Sequence, residues 1–375
     1  DAGSNDADLS YSQWNSVNVI VDTTAPVDPV VTTPSGTMST NQVTTLVSGT
    51  HAEDGVTISL YADVNNDGVA DNATVLDDTI VVTGAWTLSA GLSTDSDNNF
   101  VVVASDAASN VSAPQNVPTI TQDATAPVAP SAPDLDAASD SGVSSTDNIT
   151  NNMTLVLTGT AEAGASIVLS SHLDGVLGTV NADGSGNWSV NATSVSPGTH
   201  SITAVVTDIA GNSSVASSAL AVTIDTSAPT SSAIAHQNIQ PGESSSTLAF
   251  TIADDVTAAT DILVTPASSD TTVVPLAGVV LAGSEADRGV TVTALGSGTS
   301  TITLTLVDIA GNTSTRTFDV VVNSVPTILG TPATNVAQGT LYNFMPTAVD
   351  VDGNSLVFDI TNRPSWASFN TATGA

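Results

Sequence analysis

Apolar and polar residues alternate along most of the chain. In Met153–Gly159 and His200–Thr207 nearly every second residue is Val, Ile, Leu or Ala, with Thr, Ser or another apolar residue between. That is the two-residue period of a strand with one face buried. Ser166–Ser171, Asn187–Asn191 and Ala219–Ile224 are similarly rich in β-branched and apolar residues. Between them lie Ala161-Glu-Ala-Gly164, Asn181-Ala-Asp-Gly-Ser-Gly186 and Ser196-Pro-Gly-Thr199, clusters of the residues that turns select. No apolar stripe recurs every 3.6 residues. The pattern predicts an all-β chain of sandwiches, with Trp188 on a central strand as core filler.

The pattern also repeats. Asp22-Thr-Thr-Ala-Pro26 returns as Asp123-Ala-Thr-Ala-Pro127 and Asp225-Thr-Ser-Ala-Pro229. A second marker keeps the same beat in Asp106-Ala-Ala-Ser-Asn110, Asp208-Ile-Ala-Gly-Asn212 and Asp308-Ile-Ala-Gly-Asn312, and a third pairs Gly84-Ala-Trp86 with Gly186-Asn-Trp188. A period of about 100 residues is one domain-sized module. The markers place complete modules at 25–124, 125–227 and 228–323. Residues 1–24 read as the last two strands of a preceding module, and residues 324–375 as the first half of another. The linkers are short and carry proline, which fixes φ and stiffens the joints.

Composition narrows the chemistry. There are 37 acidic residues against three basic ones (Arg288, Arg316, Arg363), a formal charge of −34, with no lysine and no cysteine. Such a chain repels phosphate and anionic headgroups, which argues against nucleic-acid partners and electrostatic membrane docking. No apolar run approaches the roughly 18 residues that span a bilayer. Without Lys there is no Schiff base, P-loop lysine or lysine–asparagine crosslink; without Cys there is no thiol nucleophile, disulfide or thiolate zinc site. Since 41% of residues are apolar, the chain folds despite its charge. All but four of the acids (Glu53, Glu162, Glu243, Glu285) are Asp, a turn former and a short oxygen donor for hard cations.

Asp-x-Ala-Gly-Asn-x-Ser, then an apolar strand, then Val-x-Ile-Asp-Thr-x-Ala-Pro resembles the tandem bacterial immunoglobulin-like repeats in the stalks of large surface adhesins, including RTX-type ones. The 125–227 module carries the resemblance best, through Gly159-Thr-Ala-Glu-Ala-Gly-Ala165 and Asp183-Gly-Ser-Gly-Asn-Trp188; the 228–323 module lacks both features and reads as a diverged sandwich. Pro346–Asn354 and Pro364–Asn370 resemble the start of a cadherin-like repeat. The resemblance implies an elongated rod on the bacterial cell surface. Calcium ions and neighbouring repeats would be its partners, and any host or surface ligand would be met through other domains.

In an immunoglobulin-like sandwich the start of strand A and the B–C and F–G loops share one pole. Acids recur at all three places: Asp22, Glu53 and Asp106 in one module; Asp123, Glu162 and Asp208 in the next; Asp225, Asp255 (beside Asp254) and Asp308 in the third. The last segment offers Asp350 and Asp352, with Asn323 in the joint. Three carboxylates at one pole repel one another unless a cation lies between them, and calcium prefers six to eight such oxygens. The plainer reading is that Asp106, Asp208 and Asp308 cap their own turns. A further calcium candidate is the loop Asp63-Val-Asn65-Asn-Asp67-Gly68-Val69-Ala-Asp71, with oxygens at relative positions 1, 3, 5 and 9, Gly at 6, the Val69 carbonyl at 7, and Asp77 or Asp78 to complete it.

Other residues read as ordinary. The four histidines (His51, His172, His200, His236) are scattered and default to surface or loop positions, and Arg288 is expected to pair with nearby acids. Paired carboxylates such as Asp77-Asp78 lack the aromatic platforms of a glycosidase, with aromatics at 3%, and no nucleophile elbow occurs. The chain is therefore not expected to be an enzyme. The competing class is a sandwich that itself binds carbohydrate, ice or a receptor. Thr299–Thr305 is the nearest approach to a binding array, and Ile302 and Leu304 turned inward would explain it as ordinary strand surface.

Overall fold

A computed structural model of the chain describes residues 21–375. The strands expected within residues 1–24 lie, up to residue 20, outside the described residues. Sandwich I comprises β1 (Val30–Thr33), β2 (Met38–Thr40), β3 (Thr44–Thr50), β4 (Thr57–Ala62), β5 (Asp77–Ile80), β6 (Ala85–Gly91), β7 (Ser96–Ser105) and β8 (Gln115–Gln122). Its sheets run β1-β3-β6 and β2-β8-β7-β4-β5, with β2 parallel to β8. The first strand is thus split between the two sheets, which closes the sandwich at one flank.

Sandwich II repeats this plan with β9 (Asp134–Leu135), β10 (Ile149–Thr150), β11 (Leu155–Thr160), β12 (Ser166–Ser171), β13 (Gly175–Asn181), β14 (Asn187–Ala192), β15 (Gly198–Thr207) and β16 (Leu220–Ile224). Its sheets are β9-β11-β14 and β10-β16-β15-β12-β13. Sandwich III has β17 (Thr230–Ser231), β18 (Gln237–Ile239), β19 (Leu248–Ala253), β20 (Leu263–Ser268), β21 (Val279–Ala282), β22 (Asp287–Val292), β23 (Gly298–Val307) and β24 (Thr313–Val322). Here the fifth strand changes sides. β5 and β13 pair with β4 and β12, whereas β21 pairs with β22 in the opposite sheet. Beyond it, β25 (Thr327–Leu329) and β26 (Thr347–Val349) form an antiparallel pair. The chain is a tandem array of immunoglobulin-like β-sandwiches, with no α-helix among the described residues.

Strand alternation builds each core. Along β6 every second residue (Trp86, Leu88, Ala90) is buried, and along β23 Ser300, Ile302, Leu304 and Leu306 point inward while Thr301, Thr303 and Thr305 line the outer face. Three separate apolar clusters result, one per sandwich. Trp86 and Trp188 fill two of them, but from β6 and β14, which are edge strands and not the central strands expected. The tryptophans lie over glycines directly opposite on the neighbouring strands, Gly49 and Gly159. A Cβ at Gly159 would stand 2.3 Å from the Trp188 ring. The third core has no such pair and is filled by Phe250 and Phe318.

His200 and Arg288 depart from their expected surroundings, and His51 does so in part. His51 lies in a loop, as expected, but is buried, and His200 is buried within β15. His51 Nε2 bonds the Val27 carbonyl at 2.8 Å, tying the linker to the B–C loop, and His200 bonds Ser171 Oγ and the Ser196 carbonyl, each at 2.7 Å. Arg288 donates to the carbonyls of Glu285, Gly283 and Ala259, not to carboxylates. A planar fork surrounded by backbone oxygens finds acceptors there without bringing in a flexible acid.

Candidate metal centre at a module joint

The Asp-x-x-x-Asn marker forms the F–G turn of each sandwich. In sandwich III the Asp308 amide donates to the Asn312 carbonyl, and the Asp308 carboxylate accepts from the Asn312 backbone N–H at 2.7 Å and its Nδ2 at 2.9 Å. Asp106 and Asp208 cap their turns in the same way through Asn110 and Asn212. The turn requires a positive φ before the Asn, met by Ser109 (68°), Gly211 (97°) and Gly311 (94°). The Asn110 side chain holds the Asp106 carboxyl below the usual carboxylate range. At Asp208 burial pushes upward but is outweighed by hydrogen bonds from the Asn212 side chain and the turn amides. The plainer reading, that these aspartates cap turns, therefore describes their contacts.

The Asn also reaches the linker. Nδ2 of Asn110, Asn212 and Asn312 donates to the backbone carbonyls of Asp22, Asp123 and Asp225, at 3.2, 2.9 and 2.9 Å. One amide thus clamps the F–G turn to the incoming linker at three successive joints. Nothing in the local pattern singles out this role, although the constant spacing of the two markers could have suggested it.

At the joint between sandwiches II and III the expected acids converge. Carboxylate oxygens of Asp225, Asp254 and Asp308 lie within 4.8 Å of one another, and Asp225 and Asp308 are 2% and 0% exposed. Asp225 Oδ1 accepts from Ser227 N–H and Asp254 Oδ1 from the amides of Val256 and Thr257, while Oδ2 of both residues is occluded and has no hydrogen-bond partner. Burial pushes the Asp225 carboxyl up, only partly offset by the Ser227 amide, and Asp254, Asp308 and Asp255 push in the same direction. The clustered B–C acid is Asp254; Asp255 instead accepts from Ser227 Oγ at 3.1 Å.

The remaining candidates are placed differently. Glu53 and Glu162 are exposed at their B–C turns, and neither joins a three-carboxylate cluster with Asp22 and Asp106 or with Asp123 and Asp208 among the described residues. Asp350 caps the amides of Asp352 and Asn354, and Asp352 accepts from the Ser324 amide across the last joint, where Asn354 Nδ2 also donates to Asn323 Oδ1 at 2.6 Å.

In the loop 63–71, buried Asp63 accepts the amides of Asp67 and Gly68, Asn65 Nδ2 donates to Asp67, the Val69 amide donates to Asp67, and Asp71 accepts from Val64 and Asn65. The backbone thus occupies oxygens that the spacing assigned to an ion, and Asp63, Asp67 and Asp71 do not form such a cluster among the described residues. Asp77 accepts the amides of Asp78 and of Ser89 in β6, so both of its oxygens are engaged by backbone.

A second contact crosses the joints. Asn41, before β3, donates its amide to the Ala210 carbonyl and its Nδ2 to the Gly211 carbonyl of sandwich II, both at 2.9 Å. One joint further on, Val143 N–H donates to Ile309 O at 3.0 Å and Ser141 Oγ to Ala310 O at 3.2 Å. A segment flanking the second half of the split first strand, after β2 in sandwich I and before β10 in sandwich II, thus docks on the F–G turn of the next sandwich. A Cβ on Gly142 would stand 2.1 Å from Ile309 O, so only glycine permits this approach.

Residues 125–226, which contain sandwich II, match the family model described as bacterial Ig-like domain. No curated protein matches the chain. Among solved structures, it is similar to the BSP domain of a biofilm-associated protein, at 19% identity over 53% of this chain and 30% of that one, with a TM-score of 0.20. It is also similar to a 1.5-MDa bacterial ice-binding adhesin (18%, 80% and 100%, 0.29) and to a tetra-tandem repeat in the extending region of a large adhesion protein (18%, 77% and 74%, 0.23). The chain spans under a third of the length of the biofilm-associated structure.

Proposed function

We propose that this chain is a stalk segment of a bacterial cell-surface adhesin, in which calcium bound at module joints holds successive sandwiches in line and projects a distal domain outward. The observation that carries the reading is the cluster of Asp225, Asp254 and Asp308. Two of its oxygens are occluded and lack any donor, an arrangement that is costly for anions unless a cation supplies the compensation. The donor set, carboxylates from a linker, a B–C turn and an F–G turn, suits a hard divalent ion. Asp225, Asp254 and Asp308 would hold it, and the ion supplies the positive charge that lets three carboxylates share one pole. Asn312 orients Asp308 and fixes the linker carbonyl of Asp225. The proline-bearing linkers and the clamp at three successive joints support a spacer role, and the acidity of the chain suits a calcium-rich exterior. Asp22 with Asp106, Asp123 with Asp208, Asp350 with Asp352, and the Asp63–Asp71 loop are further calcium candidates under the same reading.

Small-angle scattering and thermal melts with calcium and with chelator test it. Calcium should lengthen the maximum dimension and raise the melting temperature of the wild type, and do so less in Asp308→Asn. If both quantities are indifferent to calcium, the reading fails.

A further inference from the structure

We propose that the loop between β9 and β10 of sandwich II holds a second divalent cation, calcium by its ligand chemistry, on Asp140 and Asp147. Asp140 is 4% exposed. Its Oδ2 accepts the Asn148 amide at 3.0 Å, but its Oδ1 is occluded and has no partner. The Asn148 amide holds the carboxylate inward, and the backbone that carries it is itself tied down. The Asp136 carbonyl accepts from Ser139 and Asp140, Thr150 Oγ1 donates to Ser139 O at 2.8 Å, and Ser139 Oγ accepts the Val156 amide at 2.9 Å.

Compensation by a side chain is also unavailable. The three arginines stand at 288, 316 and 363, so sandwich II contains no Arg or Lys; Arg288 of sandwich III, which lines a cleft with Val143, donates to backbone carbonyls, both ring nitrogens of His200 are engaged, and His172 Nδ1 accepts the Ser201 amide. What remains is a proton or an ion. A bare calcium approaches carboxylate oxygens to 2.3–2.6 Å, closer than a water molecule does, so a gap that shuts water out can still admit it. The second carboxylate is at hand: Asp147 precedes the residue bonded to Asp140 and commits Oδ1 to the Ile149 amide at 3.1 Å. Backbone carbonyls would complete the shell, with water reaching the ion from the side of Asp147, which is exposed. The counterpart loop in sandwich I, residues 34–37, has no acid, nor do residues 232–236 in sandwich III, which makes the site particular to sandwich II.

Its position gives it a task. The next residues, Ser141, Gly142 and Val143, carry the contact to Ile309 and Ala310 of sandwich III. A cation on Asp140 therefore braces this joint from the sandwich II side, independently of the Asp225 cluster, because all its ligands belong to one sandwich.

Calcium titration calorimetry on the full chain tests this with wild type, Asp140→Asn, Asp147→Asn, Asp308→Asn and the Asp140→Asn/Asp308→Asn double variant. Asp140→Asn should remove one ion per chain in both the wild-type and the Asp308→Asn backgrounds. Asp147→Asn, which leaves the buried carboxylate in place and guards against misfolding of the first variant, should weaken one site about tenfold. Hydrogen exchange at the Val143 amide should be slowed by calcium in the wild type and not in Asp140→Asn. Unchanged stoichiometry in Asp140→Asn, with full affinity in Asp147→Asn, overturns the proposal and leaves a proton on Asp140. Loss of an ion in Asp140→Asn with none lost in Asp308→Asn would instead sustain this site and sink the joint site.

Discussion

Replacing Asn312 by Ala isolates the clamp that recurs at three successive joints. The Asn312 amide makes two bonds at 2.9 Å, one to the Asp225 carbonyl and one to the Asp308 carboxylate. Its removal deprives two residues that are almost wholly buried. A neutral hydrogen bond contributes about 1 kcal/mol and one to a charged group roughly 1.5–3 kcal/mol, so the loss sums to about 2.5–4 kcal/mol. In a sandwich of this size each kcal/mol moves the melting temperature by roughly 4–8 °C, which puts the transition of sandwich III at least about 10 °C lower. Differential calorimetry in chelator reads this without contribution from bound ion, and Asn212→Ala should depress sandwich II similarly. The matching backbone bond from Asn312 N–H survives in the Ala variant, which confines the change to the side chain. A shift within about 0.5 kcal/mol of wild type would refute the clamp as a source of stability.

Three further outcomes are expected. In chelator the raised carboxyl of Asp225 contributes stability below its ordinary value of 3.8 that is lost as pH rises through the folded-state value. Asp225→Asn should then be more stable than wild type at pH 7 and converge with it in acid, with the order reversed in saturating calcium; urea midpoints at several pH values decide, and a pH-independent difference counts against the buried charge. Gly159→Ala places a Cβ 2.3 Å from the Trp188 ring and should cost roughly 1–3 kcal/mol by overpacking, checked by chemical denaturation; a neutral result would show that the pair has slack. Asn41→Ala removes the Nδ2 bond to Gly211 and should speed amide exchange at Asn41, whose N–H bonds Ala210 across the joint, without altering exchange in the sandwich cores; unchanged exchange would mean the contact holds without that side chain.

The fold was legible because it depends on local periodicity. Two-residue alternation in His200–Thr207 and Thr299–Thr305 determines which face is buried whatever the strand pairs with, and the turn clusters bound each strand. The edge placement of Trp86 and Trp188 was not legible, because a strand's rank in its sheet depends on partners distant in sequence, here Gly49 and Gly159. The change of side by β21 also escaped: it pairs with β22, the next strand along the chain, and alternation alone does not choose between a preceding and a following neighbour.

By itself the sequence determined the all-β class, the repeat of about 100 residues, and the bringing of acids to module joints, since each follows from composition and spacing along one chain. Only the tertiary structure decided which acids meet. It selected Asp254 over Asp255. It left Glu53 and Glu162 in solvent, gave the oxygens of Asp63 and Asp71 to backbone amides, and buried Asp140 with one carboxylate oxygen lacking any partner. The physical reason is that a carboxylate's surroundings are set by loops from different strands and different modules. Residues brought within a few ångströms across a joint leave no trace in the local pattern of either segment.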